Sequence, residues 1–174
     1  MASIQQRRKQ WDAAEASAKE ALAITAKALG VSNANTAYYH SALADLYIKR
    51  KKYLEAEPFA RAALGIFKAT GTPDNQYLAS AEYLLAEVLV NTSRSKEAEP
   101  LLRTNIERWQ QANAPAWRIA RSKNLLGMAL IKLHESAEGK QLLQQSYDTL
   151  AAQDSGASPE IVAAAQERLH SFGL

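Results

Sequence analysis

The side chains best placed to do chemistry in this sequence are two pairs of carboxylates and three histidines. Glu55 and Glu57 flank Ala56, and Glu97 and Glu99 flank Ala98, a paired-acid pattern of the kind that general acid–base or cation chemistry would use. His40, His134 and His170 are scattered, and none has a second ligand three or four residues away to make a helical metal pair. The chain has no cysteine, which excludes disulfides, thiolate metal sites and a thiol nucleophile. Phosphate-binding glycine loops and a Gly-x-Ser-x-Gly elbow are absent from the sequence. The one dense basic cluster, Arg118, Arg121 and Lys123, is bracketed by Glu107 and Glu135 rather than gathered with stacking aromatics, so nucleic-acid binding is not expected. The chain therefore reads as no enzyme, with no cofactor and no metal.

The carboxylates have another explanation, because Glu55-Ala56-Glu57-Pro58 returns as Glu97-Ala98-Glu99-Pro100, 42 positions later. Each copy falls where a helix is expected to start, with acids that complement the helix dipole and a proline early enough to cost few backbone hydrogen bonds. The tetrapeptide is thus a marker of one structural unit, and a period in this range signals a solenoid whose units bury their apolar faces by stacking. Composition agrees: 7 glycines and 5 prolines in 174 residues, with alanine abundant, suit close-packed helices better than strands. The 21 basic and 18 acidic residues are mixed along the chain, and a net charge of +3 describes an ordinary solvated surface. The polar start, Met1 to Gln10 with Arg7-Arg8-Lys9, resembles neither a signal peptide nor a membrane span, so a soluble, cytoplasmic protein away from membranes is expected.

These markers predict the following helices. The first runs from about Arg7 to Leu29, with Trp11, Ala14, Ala18, Ala21, Leu22 and Thr25 on one face and Gly30 as C-cap. The second follows N-cap candidates at Asn33 to Thr36, runs to about Arg50, and shows His40, Leu43, Ala44 and Tyr47 on one side. A turn at Lys51-Lys52-Tyr53 leads to a third, from near Leu54 to Thr70-Gly71, and Thr72-Pro73-Asp74-Asn75 is turn chemistry. Further helices are expected over about 76–91, 96–112, 116–133 and 136–153, and a last one from Ile161 to Phe172.

With Leu43, Ala44 and Tyr47, then Leu85, Ala86 and Leu89, then Leu126, Gly127 and Leu130 in the first helices, the chain resembles the tetratricopeptide repeat family, in particular its long-loop branch found in kinesin light chains. Small residues at Ala56 and Ala63, at Ala98 with a departure at Asn105, and at Gly139 and Ser146 match the positions where second helices of that family cross their neighbours; Ala14 and Ala21 match them in the incoming half unit. The resemblance implies an all-α fold, a right-handed superhelical solenoid of antiparallel helix pairs with about seven to eight helices. Laid on the chain it gives one array over 1–174: a half repeat at 7–30, repeats at 34–71, 76–112 and 116–153, and a terminal helix at 160–172. A half unit leaves an apolar face without its sequence-local partner, so the chain reads as a segment of a longer one. Its closing part, Ser146-Tyr147 and Ala157 to Phe172, also resembles the end of repeat arrays that follow the kinase domain in some bacterial serine/threonine kinases.

In such an array the first helices line the concave face. The resemblance therefore implies a peptide- or partner-binding surface made of Tyr38, Ser41, Asp45 and Lys49; Tyr83, Glu87 and Asn91; and Arg121, Asn124, Met128 and Lys132. Tyrosine and asparagine there would meet apolar groups and main chain, while Lys49, Arg121 and Lys132 would hold carboxylates. Of the paired asparagines that the branch often carries at this surface, only Asn124 is present. A solvated face with no ligand is the alternative reading of the same residues. The expected function is a non-enzymatic protein–protein interaction module. The alternatives are a structural spacer or regulatory segment of a larger multidomain protein such as a kinase, or self-association through the terminal half repeats. Trp11, Phe67, Trp109 and Leu150 are expected in the core, Trp117 is left open, and His40 is expected to be packed and hydrogen-bonded.

Overall fold

The computed structural model describes residues 2–70 and 76–174, with side chains from Gln10 onward. The described residues form eight α-helices and no strand: α1 (Ala2–Leu29), α2 (Ala34–Lys49), α3 (Tyr53–Ala69), α4 (Gln76–Asn91), α5 (Ser95–Gln111), α6 (Ala116–Lys132), α7 (Ser136–Ala151) and α8 (Pro159–Ser171). The all-α expectation holds. Gly71 and the turn expected at Thr72-Pro73-Asp74-Asn75 lie outside the described residues, as do the side chains of Arg7-Arg8-Lys9. The chain divides into two compact units, Met1–Val88 and Leu89–Leu174, with the boundary inside α4.

The turns show how the period is built. Gly30 closes α1 with φ of 93°, its N–H donating to Ala26 O at 3.0 Å, and the Thr36 hydroxyl donates to Gly30 O at 2.8 Å. The Asn33 side chain then caps α2 by accepting the Asn35 N–H at 2.8 Å. The turns between paired helices use no glycine. Lys51, Ser93 and His134 adopt φ of 56°, 62° and 69°, the left-handed conformation that non-glycine residues adopt only at some cost. Beyond each, the next N–H reaches back five residues: Lys52 to Tyr47 O at 2.9 Å, Arg94 to Leu89 O at 2.8 Å and Glu135 to Leu130 O at 2.9 Å. These bonds satisfy last-turn carbonyls and fold each chain segment back on itself within three residues, so the joined helices run antiparallel. Asn113, with φ of 49° and Ala114 N–H on Trp109 O at 2.9 Å, makes the same turn between α5 and α6.

In the first unit α2 and α3 pack through alanine. Ala44, Ala56, Ala60 and Ala63 are wholly buried together with Leu43 and Phe67, and small side chains let the helix axes come close. Helix α1 lies against α2 with half-buried residues, among them Trp11, Ala18, Leu22 and Thr25; Ala14, expected on that face, is exposed. Pro58 sits in the second turn of α3, which starts at Tyr53, so only the Leu54 carbonyl is left without its intrahelical donor.

In the second unit the closest approach joins α6 to α7. A Cβ added at Gly127 would meet Gly139 O at 2.7 Å, and one added at Gly139 would meet Gly127 O at 2.7 Å, so the two backbones touch. Around them Leu125, Leu126, Ala129, Leu130 and Leu143 are buried. The carboxy-terminal end closes over Ala120, Leu150 and Ala165, with Trp117, Tyr147, Ala157, Ile161 and Val162 packed against them. Phe67, Trp109 and Leu150 are buried in the core, while Trp117, packed against it, and Trp11 are half-buried.

Candidate partner-binding surface

Three of the four paired carboxylates, Glu57, Glu97 and Glu99, turn out to be engaged by arginines. Glu55 and Glu97 stand in the first turns of α3 and α5, and Arg94 grips Glu97 with two bonds, Nε at 2.6 Å and Nη2 at 2.7 Å. Glu57 and Glu99, two residues further on, accept from Arg61 Nε and Arg103 Nε, each at 2.9 Å and four residues ahead. The second glutamate of each tetrapeptide therefore serves an ion pair along the helix. No group of three or more metal-ligating side chains occurs among the described residues.

The sequence reading placed eleven residues on the binding face, and the structure separates them. On α2, Tyr38 is 51 % exposed, while Asp45 and Lys49 form an ion pair of 2.9 Å on the surface two and three turns beyond it. Ser41, between them, is half-buried and its hydroxyl has no hydrogen-bond partner. Glu87 and Asn91 on α4 and Arg121 on α6 are half-buried. Lys132 is spent on structure: its Nζ donates to Val90 O at 2.8 Å, closing the end of α4, and burial pulls its pKa below the usual lysine range.

Three expected surface residues are buried. Tyr83 is 4 % exposed, Met128 7 % and Asn124 not at all. The Asn124 carboxamide donates to Ser146 Oγ at 3.1 Å and accepts from Arg168 Nη1 at 3.2 Å, tying α6 to α7 and α8. A buried amide must find partners within the protein, and here the next helices supply them. None of the three offers a surface to a partner in this conformation. The departure from the small-residue pattern at Asn105 has a similar cause, since buried Asn105 accepts from Ser122 Oγ at 2.6 Å, joining α5 to α6.

His40 is packed as expected, 6.0 Å from the Phe59 ring, but the hydrogen bond expected of it is missing at Nδ1, which is buried and unpaired. Burial lowers the pKa of this imidazole.

Sequence reasoning missed two arrangements. The first is an ionic clamp between α1 and α2: Glu15 accepts from Lys19 and the Tyr47 hydroxyl, both at 2.7 Å, and from Arg50 Nη1 at 2.6 Å, while Arg50 also reaches Asp12 at 3.2 Å. The Lys19 and Tyr47 bonds, with the Lys19 and Arg50 charges, lower the Glu15 pKa to about 2. The second is aromatic. Tyr38 and Tyr77 meet edge to face at 6.1 Å, Tyr77 stacks on buried Phe67 at 6.0 Å, and Tyr38 leans on Tyr39 at 5.5 Å. In the second unit Arg118 lies over both Trp109 and Trp117, at 4.7 and 4.8 Å from the ring centroids. Spacings of three or four residues signal contacts along one helix and carry no signal for rings that meet between helices.

Residues 1–69 match a sequence model described as "Tetratricopeptide repeat". Comparison with curated proteins gives no match. Among solved structures, TPR-like repeats of a Podosopora anserina protein assigned as a kinesin light chain are similar to this chain with a TM-score of 0.70, at 20 % identity over 98 % of this chain and 81 % of that one. A variant of the same repeats gives 0.71, with 80 % of that chain covered. BtubC (BKLC) of P. vanneervenii gives 0.76, also at 20 % identity, with 98 % and 68 % covered. At this identity the likeness concerns the fold. No helix among the described residues is long and apolar enough to cross a membrane.

Proposed function

Starting from a chain built of tetratricopeptide repeats with a kinesin-light-chain-like fold, we propose that it is a non-enzymatic module that binds a peptide or partner segment along the first helices of its pairs. Tetratricopeptide repeats in general mediate protein–protein interactions, and the finer reading concerns which residues do so here. The observation that carries it is the surface of α2. On a helix whose other faces bury Leu43, Ala44, Tyr47 and Ile48, Tyr38, Asp45 and Lys49 remain outside, offering a ring and both charges. Glu87 on α4 belongs to the same unit and stays in the proposed set; in the second unit Asn91 and Arg121 stay as candidates in their own right, and Tyr83, Asn124, Met128 and Lys132 leave the set. An extended peptide gains affinity from such a face through an aromatic anchor and gains orientation from charges of both signs.

Selection of random displayed peptides tests the reading. Peptides enriched on the protein should lose about ten-fold in affinity to a variant carrying Asp45→Arg and Lys49→Glu, and keep their affinity for Arg61→Glu, which changes a second helix. Failure to enrich any peptide, or equal binding to both variants, would remove the proposal. A second reading, self-association, is favoured by the outer side of α1, where Ile24 and Leu29 are 60 % and 52 % exposed. Light scattering over a concentration series decides it, a mass that stays monomeric counting against it.

A further inference from the structure

We infer that Arg118 anchors a binding site for a phosphorylated segment of a partner, one that carries a serine or threonine phosphate. The site belongs to the second unit and goes beyond the face proposed on α2, since it needs no residue of that helix.

The observation that carries it is a cation held in place without a counter-ion. Arg118, in the first turn of α6, sets its guanidinium over the rings of both Trp109 and Trp117, 4.7 and 4.8 Å from their centroids. A ring face attracts the charge but leaves the in-plane N–H donors unsatisfied. Among the described residues the guanidinium makes no hydrogen bond and no ion pair, whereas Arg50, Arg61, Arg94 and Arg103 each hold a carboxylate. Acids are not scarce around it. Glu107 precedes Trp109 by two residues on α5, Asp148 follows Tyr147 on α7, and Asp154 and Glu160 flank the turn that packs on Trp117. Asp148 accepts from Gln144 instead, at 2.9 Å, and none of the four pairs with Arg118.

The mount is also rigid. Trp109 is 7 % exposed, and Trp117 packs on Ala120, Leu150 and Ala165, so close to the backbone of Gly156 that a carbon added there would lie 3.5 Å from its Cδ1. An arginine already placed gives up little side-chain freedom when it binds.

Phosphate fits this cation better than other anions do. Arg121 stands one turn further along α6, so a second guanidinium lies on the same side of the helix. A phosphate monoester answers them with nearly two charges and three strong acceptor oxygens, where a carboxylate brings one charge. A nucleic-acid phosphate brings bases that need open ring faces for stacking, and here one indole is buried, the other half-buried, and both lie under Arg118.

The test is titration of the whole chain with a blocked glycine–serine peptide carrying one central phosphoserine, followed by tryptophan fluorescence, to which the site contributes two of the three tryptophans. Saturable binding is expected, weakened at least about ten-fold by Arg118→Gln and by Arg118→Lys, which keeps the charge but loses the fork, each with its helical circular dichroism intact. The unphosphorylated peptide, its glutamate counterpart, inorganic phosphate and a single-stranded oligothymidine should each bind at least about ten-fold more weakly than the phosphopeptide. Absence of phosphopeptide binding, equal binding by either Arg118 variant, or equal or tighter binding of any of those four ligands would each overturn the inference. The variant carrying Asp45→Arg and Lys49→Glu should bind the phosphopeptide as the unaltered chain does, and a loss there would overturn it as well. Failure at Arg118 leaves the proposal for α2 standing, and failure at α2 leaves this site standing.

Discussion

The two units follow one helical plan and fill its crossings with different chemistry. In the first, α2 and α3 meet through alanines, and two buried polar atoms, His40 Nδ1 and Ser41 Oγ, remain without partners. In the second, buried Ser95 Oγ is unpaired as well, but two crossings carry buried amides answered by serines, Asn105 with Ser122 and Asn124 with Ser146, and a further feature is the contact of two glycine backbones. The lesson is that a repeat fixes where helices must approach, not what fills the gap. An alanine, a glycine or a satisfied amide each allows approach, and an amide is tolerated where the facing helix brings a hydroxyl.

The contrast is sharpest at the glycines. Gly127→Ala puts a methyl carbon 2.7 Å from a backbone oxygen that cannot swing away. It should cost about 3 kcal/mol in denaturant unfolding. Gly65→Ala, on the exposed face of α3 with nothing within 4 Å of the new carbon, should instead stabilise by about 1 kcal/mol. A similar response at both sites would break the distinction.

Next in size is the coupling of Asn105 to Ser122. A double-mutant cycle with Asn105→Ala and Ser122→Ala should give an interaction of about 1 kcal/mol, because each side chain partners the other out of water. Strict additivity would mean that the amide is satisfied elsewhere.

In the first unit the unpaired imidazole makes stability depend on acid. The folded-state pKa of His40 is lowered by burial, so the unfolded chain takes up the proton first. Stability should be fully present above about pH 6.5, the ordinary histidine value, and fall as pH drops below it. Thermal melts between about pH 7.5 and about pH 5.5 should show this fall, and His40→Phe should reduce it.

The smallest effect belongs to the clamp on Glu15. Its carboxylate is held down to about 2, so its contribution is present above the ordinary value of 4.5 and is lost as pH falls from there towards 2. The clamp lies at the rim of the helix pair, half-buried and open to solvent ions, so Glu15→Gln should cost less than about 1 kcal/mol, and added salt should shrink the difference.

Much of the fold was legible in the residues. Gly30, the repeated Glu-Ala-Glu-Pro and the spacing of Leu43, Ala44 and Tyr47 give helices whose ends differ little from those observed, and the small residues at Ala56, Ala63 and Gly139 are buried as expected. Less of the site was legible. Helical spacing tells which way Asn124 and Met128 face on α6, but not that the protein covers them, and Arg168 lies 44 residues from Asn124. Tyr38 and Tyr77 are likewise joined by tertiary packing, with no local pattern to announce it. The left-handed turns at Lys51, Ser93 and His134 carry no glycine to mark them, because the hydrogen bonds across each turn hold a conformation that local preference does not select.

The central claim, that partners bind along the first helices, is tested most directly by backbone amide NMR shifts of the protein titrated with its best displayed peptide. The account predicts shifts clustered along α2 around Tyr38, Asp45 and Lys49 and extending to Glu87 on α4, with the outward turns of α3 around Arg61 unmoved. Shifts confined to α3, α5 and α7 would contradict it.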